Sequence, residues 1–459
     1  MPAPSLLTEP IPVLIRRIAL PASVGFFFNT MFNFADTYCA GILGTDALAA
    51  LSVSFPVFFL LLSAGSGLSQ GTTALMANAI GAKEMQKARH VFAQSLLCAV
   101  ITGLLLSTIG LLISPWMFGL LGAEGLHLRL SLNYMNVILC GGTFFVLQMA
   151  VNAALNAQGD TRLYRNFLIV GFFANCVLNP VLMLGWLGLP AMGVAGLALA
   201  TVIVQIGGCV ILWRGVRRRE LCREMPAVLF KPDLVLMRDI VTQAGPAALN
   251  MLTVGLGIFI ITWFAKHFGK EAVAGYGIAT RIEQMVLLPT IGLNFAVLSL
   301  VGQNHGAGRF DRVREAWKTN LFYGAGLMVA GGALLFLLKD HAMALFSSDP
   351  AVLRHGGDYL SVASLTLAAY PILFVTVFAL QGMKRPGYGL WMGLYRQIVA
   401  PMLVFNGLAF SLGLGSWGLW WGIGLVTWSA AAFALWWGWR AIHHPGRLRQ
   451  QDALKDSLP

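Results

Sequence analysis

One carboxylate in this chain stands well inside a long apolar segment, and polar side chains accompany it. Asn29, Asn33 and Asp36 lie four and three residues apart, so on a helix they share one face. An ionisable group in apolar surroundings marks a functional site by default. We therefore expect Asp36 to be a cation-coupling group and Asn29 and Asn33 to line a wet cavity. Pro21 and Pro180 each remove a backbone donor, which predicts helix bends.

Two pairs of uncharged polar residues further along the chain have the same helical spacing. Asn175 and Asn179 are four residues apart, and so are Thr201 and Gln205. Amide and hydroxyl oxygens around one carboxylate would form a small oxygen-rich pocket. The alternative is that these four side chains only make interhelical hydrogen bonds.

The second half of the chain has ionisable residues of its own within apolar segments. Arg281 and Glu283 are two residues apart, so they do not face each other on a helix and each needs another partner or water. We assign both to the polar face of a second cavity, with structural pairing as the alternative, and treat Arg396 in the same way. The six scattered cysteines have no metal-site spacing, and no phosphate loop occurs. This argues against a zinc site and against an ATP-driven pump.

The elements that carry these residues are long apolar segments. Of 459 residues, 57% are hydrophobic and 11% are charged, and the mean hydropathy is +0.73. A soluble domain carries about 25% charged residues. Segments long enough to cross about 30 Å of hydrocarbon therefore predict an all-α integral membrane protein with twelve transmembrane helices. The predicted spans are 14–40, 47–74, 88–113, 128–154, 162–187, 191–213, 239–265, 272–302, 315–338, 358–381, 387–411 and 416–440.

Charge sets the orientation of these spans. Most of the 31 Lys and Arg residues fall in loops on one side, which places both termini in the cytoplasm. The net charge of +12 is held in these short loops, so we expect no nucleic-acid partner. Residues 1–12 lack a charged region followed by a cleavage site, and we predict no removable signal peptide.

The chain repeats itself after 225 residues. This shift aligns Ala19 and Pro21 with Ala244 and Pro246, and it still holds at Tyr134 and Tyr359. It predicts two six-helix bundles, at 14–213 and 239–440, that are parallel repeats related by a pseudo-two-fold axis along the membrane normal. A basic cytoplasmic linker at 214–238 and a tail at 441–459 complete the chain. A duplicated twelve-span chain without a nucleotide motif is typical of a secondary transporter.

Several local motifs resemble those of multidrug and toxic compound extrusion (MATE) transporters, over about residues 14–440. The order of these motifs, together with the two-times-six layout, carries the resemblance. The segment Thr280-Arg281-Ile282-Glu283 favours the DinF-type branch. The matching motifs are Asn33-Phe34-Ala35-Asp36-Thr37, the turn Leu43-Gly44-Thr45-Asp46-Ala47-Leu48, Ala154-Leu155-Asn156-Ala157-Gln158-Gly159-Asp160, and Val301-Gly302-Gln303-Asn304-His305-Gly306-Ala307.

This resemblance implies two bundles forming a V, alternating access, and export of amphiphilic, often cationic compounds against proton or sodium entry. It makes Asp36 the cation-sensitive group and Pro21 the bend-forming proline. Relatives with a sodium site add residues matching Asn175 and Thr201, so Asp36 and Asn175 would hold a metal ion only under sodium coupling. Asn179 stands where such relatives have Asp, which weakens charge compensation for sodium. Because burial disfavours a charged carboxylate, protonation alone can neutralise Asp36, and we favour proton coupling.

Two other functions fit this sequence less well. A flippase for lipid-linked sugars or polysaccharides would need several cationic residues in its cavity to hold phosphates, and only Arg281 and Arg396 lie within spans. A membrane-embedded enzyme would need clustered acids or an acid–base pair, and Asp36 and Glu283 are far apart in sequence. We therefore expect no enzymatic activity and no cofactor beyond the coupling ion. We predict a monomer in the bacterial inner membrane, with drugs or toxins as partners.

Overall fold

The fold is entirely helical in the part of the chain that the computed structural model describes, residues 6–223 and 225–443. The first half contains α1 (Ile11–Leu43), α2 (Thr45–Gly81), α3 (Met85–Leu120), α4 (Gly125–Cys140), α5 (Gly142–Ala157), α6 (Arg162–Leu184), α7 (Val194–Arg217) and the short α8 (Glu220–Arg223). The second half contains α9 (Leu234–Lys266), α10 (Lys270–Gly306), α11 (Phe310–Ala344), α12 (Pro350–Thr366), α13 (Ala369–Gly382), α14 (Gly387–Leu394), α15 (Ala400–Phe405) and α16 (Gly415–His443). Single 3₁₀ turns at Trp186–Gly188 and Ala227–Phe230 lie in the connections.

The helices account for the predicted spans. Within the described residues, nine helices are individually long and apolar enough to cross a membrane. The pairs α4–α5 and α12–α13 are bent by 45° and 53°, and each pair supplies one further span. Helices α14 and α15 alternate with π-helical segments at Tyr395–Val399 and Asn406–Ser411, and this run coincides with the predicted span 387–411. The prediction of twelve transmembrane helices is confirmed.

The 225-residue repeat reappears in the helix boundaries. Shifting α2 by 225 residues reproduces the bounds of α10, and α3 shifted in the same way begins where α11 begins. The equivalent turns that precede α2 and α10 both contain a glycine with positive φ, 114° at Gly44 and 102° at Gly269. Only glycine adopts this conformation readily, which explains why both turns keep it. The structure thus consists of two six-helix repeats.

The described chain forms two compact units whose boundaries fall inside helices α1 and α9. The first unit contains residues 20–252, and the second contains residues 6–19 and 253–443. The first turns of α1 therefore belong to the second unit, where Ile11, Leu14 and Ile18 are fully buried against Leu300 and Trp317. Likewise, Ile240 and Ala244 at the start of α9 pack in the core of the first unit.

The segment before α9 is held against the first unit by backbone contacts. Gln94 on α3 is buried and its amide donates to the carbonyls of Leu229 and Lys231, both at 2.8 Å. It also accepts from the backbone N–H of Asp233 at 3.1 Å. A second anchor is the ion pair between Arg219 and Asp160 in the α5–α6 loop. The predicted linker 214–238 thus includes the last turn of α7 and the first turn of α9, and among its described residues are α8 and the 3₁₀ turn Ala227–Phe230.

The segment before α1 is held against the second unit by comparable contacts. Asn304 donates its side-chain amide to the carbonyl of Leu6 at 3.1 Å, and Arg312 donates to the carbonyl of Glu9 at 2.6 Å. Each repeat therefore fixes the residues that lead into the other repeat's first helix. In the predicted tail 441–459, residues 441–443 end α16, and 444–459 lie outside the described residues.

Candidate functional site

Asp36 is a buried carboxylate in the first unit. It lies on α1, and 8% of the residue is exposed. A carboxylate in such a position is stable only if its oxygens are hydrogen-bonded, since burial without partners costs several kcal/mol. Three side chains from α6 and α7 supply these hydrogen bonds: Asn175, Asn179 and Thr201.

The two asparagines form a closed ring of hydrogen bonds with one carboxylate oxygen. Asn179 Nδ2 donates to Asp36 Oδ1 at 2.8 Å, and Asn175 Nδ2 donates to the same oxygen at 3.0 Å. Each amide also donates to the other amide's oxygen, at 3.0 and 3.3 Å. Both asparagines are fully buried, and the four-residue spacing on α6 places them one turn apart on the same face. The ring thus presents N–H donors to Asp36.

Thr201 contacts the other carboxylate oxygen and has a second acceptor within reach. Its hydroxyl lies 3.3 Å from Asp36 Oδ2 and 3.1 Å from the backbone carbonyl of Leu197. A hydroxyl has one proton to donate and can also accept. Thr201 can therefore donate to Asp36 when the acid is charged, or accept from it when the acid is protonated and donate to Leu197 instead.

The other polar residues predicted in the first half lie outside this hydrogen-bond network. Asn29 and Asn33 are exposed on α1, and Asn33 donates its side-chain amide to the backbone carbonyl of Asn29 at 3.0 Å. Gln205 is partly buried, and its side-chain oxygen has no hydrogen-bond partner among the described residues. Pro21 lies inside α1 and Pro180 inside α6, immediately after Asn179.

The second unit contains a buried acid of its own with a different set of partners. Glu283 on α10 is 5% exposed and accepts a 2.6 Å hydrogen bond from the Tyr359 hydroxyl. The Tyr359 ring packs edge-on against Tyr276 and Trp420. The guanidinium of Arg396 lies over the Tyr370 ring, 5.0 Å from its centre, and is within electrostatic range of Glu283. Arg281 is exposed and is not part of this cluster.

Sequence reasoning missed the tyrosines that accompany the two acids. Tyr359 bonds directly to Glu283, and Tyr134 on α4 is buried within electrostatic range of Asp36. The signal was available in the 225-residue register, which aligns Tyr134 with Tyr359. Helical spacing did not reveal it, because each tyrosine reaches its acid from a different helix.

Removing the Tyr359 hydroxyl tests how much its hydrogen bond to the buried Glu283 contributes to the stability of the protein. We expect Tyr359→Phe to lower the free energy of unfolding by about 1–3 kcal/mol, because it removes one of the two tyrosine hydroxyls, those of Tyr359 and Tyr370, that hydrogen-bond to the buried Glu283. Thermal unfolding of the purified protein in detergent measures the change. Tyr323→Phe, which removes the hydroxyl of a partly exposed tyrosine on α11, is the control. Equal melting temperatures for the Tyr359 variant and wild type would show that the hydrogen bond contributes nothing.

The chemistry available at the first site is that of a single titratable carboxylate with neutral hydrogen-bond partners. Within the described residues, no group of three or more His, Cys, Asp or Glu side chains could hold a metal ion. Asp36, Asn175 and Thr201 provide at most one charged ligand and several neutral oxygens. Such an arrangement can exchange a proton, or bind a monovalent cation if the amides turn their oxygens inward.

Comparison with known proteins identifies the family. The MatE family profile matches residues 21–181 and 246–405, one match in each repeat, and together they cover more than half of the chain. The chain belongs to the MatE family, whose members are membrane transporters and not enzymes. The expectation that this is a MATE-type transporter is confirmed.

Individual relatives agree with this assignment. The chain is 29% identical over 355 residues to the probable multidrug resistance protein YoeA of Bacillus subtilis, which covers 76% of this chain and 75% of that one. It is 29% identical over 404 residues to an FAD transporter of Shewanella oneidensis, covering 86% and 87%. A solved structure described as the outward-facing conformation of a multidrug resistance MATE family transporter superposes with a TM-score of 0.89 at 25% identity, covering 95% and 97%.

Proposed function

We propose that this protein is a secondary antiporter that exports amphiphilic, often cationic compounds in exchange for protons. The hydrogen bonds of Asp36 carry the proposal. The family membership and the similarity to a probable multidrug resistance protein support the export of drugs, and the site supports the coupling ion.

A proton fits the site with little rearrangement. When Asp36 is charged, Oδ1 accepts from the two asparagines and Oδ2 accepts from Thr201. When a proton binds to Oδ2, the Thr201 hydroxyl becomes the acceptor and turns its own proton to the carbonyl of Leu197, 3.1 Å away. The hydrogen bonds to Oδ1 are unchanged. Both protonation states thus keep every group paired, which a coupling acid needs if it is to be loaded and unloaded in each cycle.

Sodium fits the site less well. A sodium ion beside Asp36 requires oxygen ligands, whereas the asparagines direct their N–H groups at the carboxylate. Turning both amides would break the ring between Asn175 and Asn179. Because Asn179 is neutral, Asp36 gives this site its one negative charge. A second carboxylate at position 179 would offset more of the sodium ion's charge and of its lost hydration.

The transport cycle follows from neutralisation of Asp36. Protonation from outside keeps the hydrogen bonds from α6 and α7 to Asp36 but turns them from charge-assisted into weaker neutral ones, and this lets α1 bend near Pro21. Coupling requires that the proton and the drug favour different conformations. The driving force suffices: each pH unit supplies about 1.4 kcal/mol, and each charge crossing 100 mV supplies about 2.3 kcal/mol. Drug leaves outward as the cavity of the first unit contracts.

Two other substrate classes are alternatives. The similarity to the FAD transporter of Shewanella oneidensis favours flavin nucleotides as a second candidate. A flippase for lipid-linked sugars or polysaccharides is less well supported, because it would need several free cationic groups in its cavity. Only two arginines lie within the predicted spans, and one of them, Arg396, is already held against Tyr370. We further propose that the protein acts as a monomer in the bacterial inner membrane with both termini in the cytoplasm.

Transport in proteoliposomes tests the proposal. We expect an imposed pH gradient, acidic on the side from which protons enter, to drive ethidium movement, and an imposed sodium gradient at equal pH to drive none. Failure of both gradients to move ethidium or FAD would overturn the antiport proposal. Movement driven by sodium alone would overturn proton coupling.

Asn179→Asp tests why this site favours protons. We expect the variant to gain sodium-dependent transport, since a second carboxylate one turn from Asn175 supplies the missing charge. The measurement is the ratio of sodium-driven to proton-driven ethidium transport, which should rise at least about tenfold, or about 1.4 kcal/mol. Asn166→Asp, which adds an acid at an exposed position near the start of the same helix, α6, is the matched control. An unchanged ratio in Asn179→Asp would contradict the argument.

A further inference from the structure

Arg281 is a charged residue at membrane depth that the proton-coupling mechanism does not use. It lies on α10, eleven residues from the helix start at Lys270. If α10 stands upright and centred in a bilayer, residues from about 278 to about 298 lie within the hydrocarbon. An arginine at this depth is rare and faces protein or a water-filled cavity, because exposure to lipid is costly.

The exposed face of α10 around Arg281 is unlike a lipid-facing surface. The residues exposed on this face are Ala274, Gly277, Arg281, Gln284 and Met285, at helical spacings. All of them except Met285 are small or polar. The neighbouring α11 of the same unit shows what a lipid-facing surface looks like here: its exposed residues include Phe322, Val329, Leu334, Phe336 and Leu337. The polar stripe of α10 therefore faces water within the membrane.

The charge of Arg281 is not compensated within the second unit. The ion pairs and hydrogen bonds of the described residues do not include its guanidinium. Glu283, two residues further on, points into the core and bonds to Tyr359. The other arginine within a span, Arg396, is held over the rings of Tyr370 and Phe374 at 5.0 and 5.8 Å. Arg281 is thus available to an external partner.

This charge is specific to the second repeat. The position 225 residues earlier is Pro56, and the position that corresponds to Gln284 is Phe59. The common scaffold therefore does not require an arginine here, since α2 and α10 have the same length and relative bounds without it.

We propose that Arg281, assisted by Gln284, forms a subsite for the anionic group of an amphiphilic ligand, a carboxylate or a phosphate. A guanidinium presents several N–H donors in a planar fork that matches the oxygens of these groups. The amide of Gln284, one turn away on the same face, supplies a further donor. The low-dielectric walls around a water-filled cavity focus the field of the guanidinium and strengthen the attraction. This inference rests on the proposed function in one respect: the compound that carries the anionic group is one that the protein exports.

The test is equilibrium binding to the purified full-length protein, which is independent of transport. Rhodamine 110 carries a carboxylate, and rhodamine 123 is its methyl ester, so the pair differs only in the anion. FMN and riboflavin form a second pair, in which the anion is a phosphate. We expect wild type to bind the anionic member of at least one pair more tightly, and Arg281→Ala to weaken that binding roughly tenfold. Binding of rhodamine 123 and riboflavin, which lack the anionic group, should not change.

Two further variants separate recognition from structure. Arg281→Lys keeps the charge but not the planar fork, and we expect it to recover part of the affinity. Lys270→Ala removes an exposed positive charge from the first turn of the same helix and should have no effect. Preference for the carboxylate alone indicates a drug-like anion, and preference for the phosphate alone indicates a nucleotide or phospholipid headgroup. The proposal would be overturned if wild type showed no preference in either pair, or if Arg281→Ala weakened binding of the anionic member and of its partner without the anion equally. Loss of gradient-driven transport with this anion preference intact would instead count against the proposed antiport.

Discussion

Asp36→Asn is expected to abolish transport driven by a pH gradient while leaving the protein folded. Asparagine has nearly the same size and, like the protonated acid, carries no charge. Its amide oxygen can still accept from Asn175 and Asn179, and its Nδ2 can donate to Thr201 in place of the proton on Oδ2. The variant therefore mimics the protonated state and cannot leave it.

The size of the effect follows from this reasoning. A site that cannot release its proton couples no proton movement to drug movement, so ethidium transport under a pH gradient should fall at least about tenfold, or about 1.4 kcal/mol of lost coupling. Ethidium binding should persist, because the Asp36 carboxylate is buried and already hydrogen-bonded to Asn175, Asn179 and Thr201. Proteoliposome transport and equilibrium binding measure the two quantities separately.

Asp46→Asn is the matched control for this variant. Asp46 is an exposed acid in the first turn of α2, where an acidic side chain favours the helix start. Its substitution should leave proton-driven transport within about twofold of wild type, since it lies at the edge of the helix. If Asp36→Asn transported ethidium at the wild-type rate and still dissipated the pH gradient, Asp36 would not be the coupling group.

Gly67→Ala is expected to have the largest effect on folding. A Cβ at Gly67 would lie 2.6 Å from the backbone oxygen of Ala244 and 2.6 Å from the backbone nitrogen of Ala248. Gly71, one turn further on, approaches the backbone of Ala244 with the same closeness, 2.8 Å for an added Cβ. Two glycines four residues apart allow α2 and the first part of α9 to pack backbone to backbone within the first unit.

A single methyl group cannot be accommodated there without moving a helix. Overpacking of this kind costs about 1–3 kcal/mol, and the contact is with backbone atoms that cannot turn away. We expect a lower melting temperature in detergent and a reduced yield of monodisperse protein. Gly245→Ala is the control, because a Cβ at this neighbouring residue of α9 meets nothing within 4 Å. Equal stability of the two variants would show that the close approach is not required.

Much of the architecture could be predicted from the sequence, since hydropathy and repetition are properties of the chain itself. Apolar segments of sufficient length have few options other than crossing a membrane, because backbone polar groups in lipid must be paired within a helix. The 225-residue register appears in the sequence as matched turn glycines and in the structure as matched helix bounds. Span lengths were less predictable, because helices such as α2 continue beyond the hydrocarbon.

The candidate site was predictable only in its parts. Helical spacing placed Asn175 and Asn179 on one face, but it also placed Asn29 and Asn33 beside Asp36, where the structure finds no hydrogen bond to the acid. Periodicity relates residues of one helix and says nothing about which helix lies opposite. The sequence by itself determined a duplicated membrane transporter with one buried acid in the first repeat. Only the tertiary structure decided that α6 and α7 enclose Asp36, that Tyr359 bonds to Glu283 from 76 residues away in sequence, and that Arg281 has no ion-pair partner in the described part of the chain. These features depend on how closely particular helices pack.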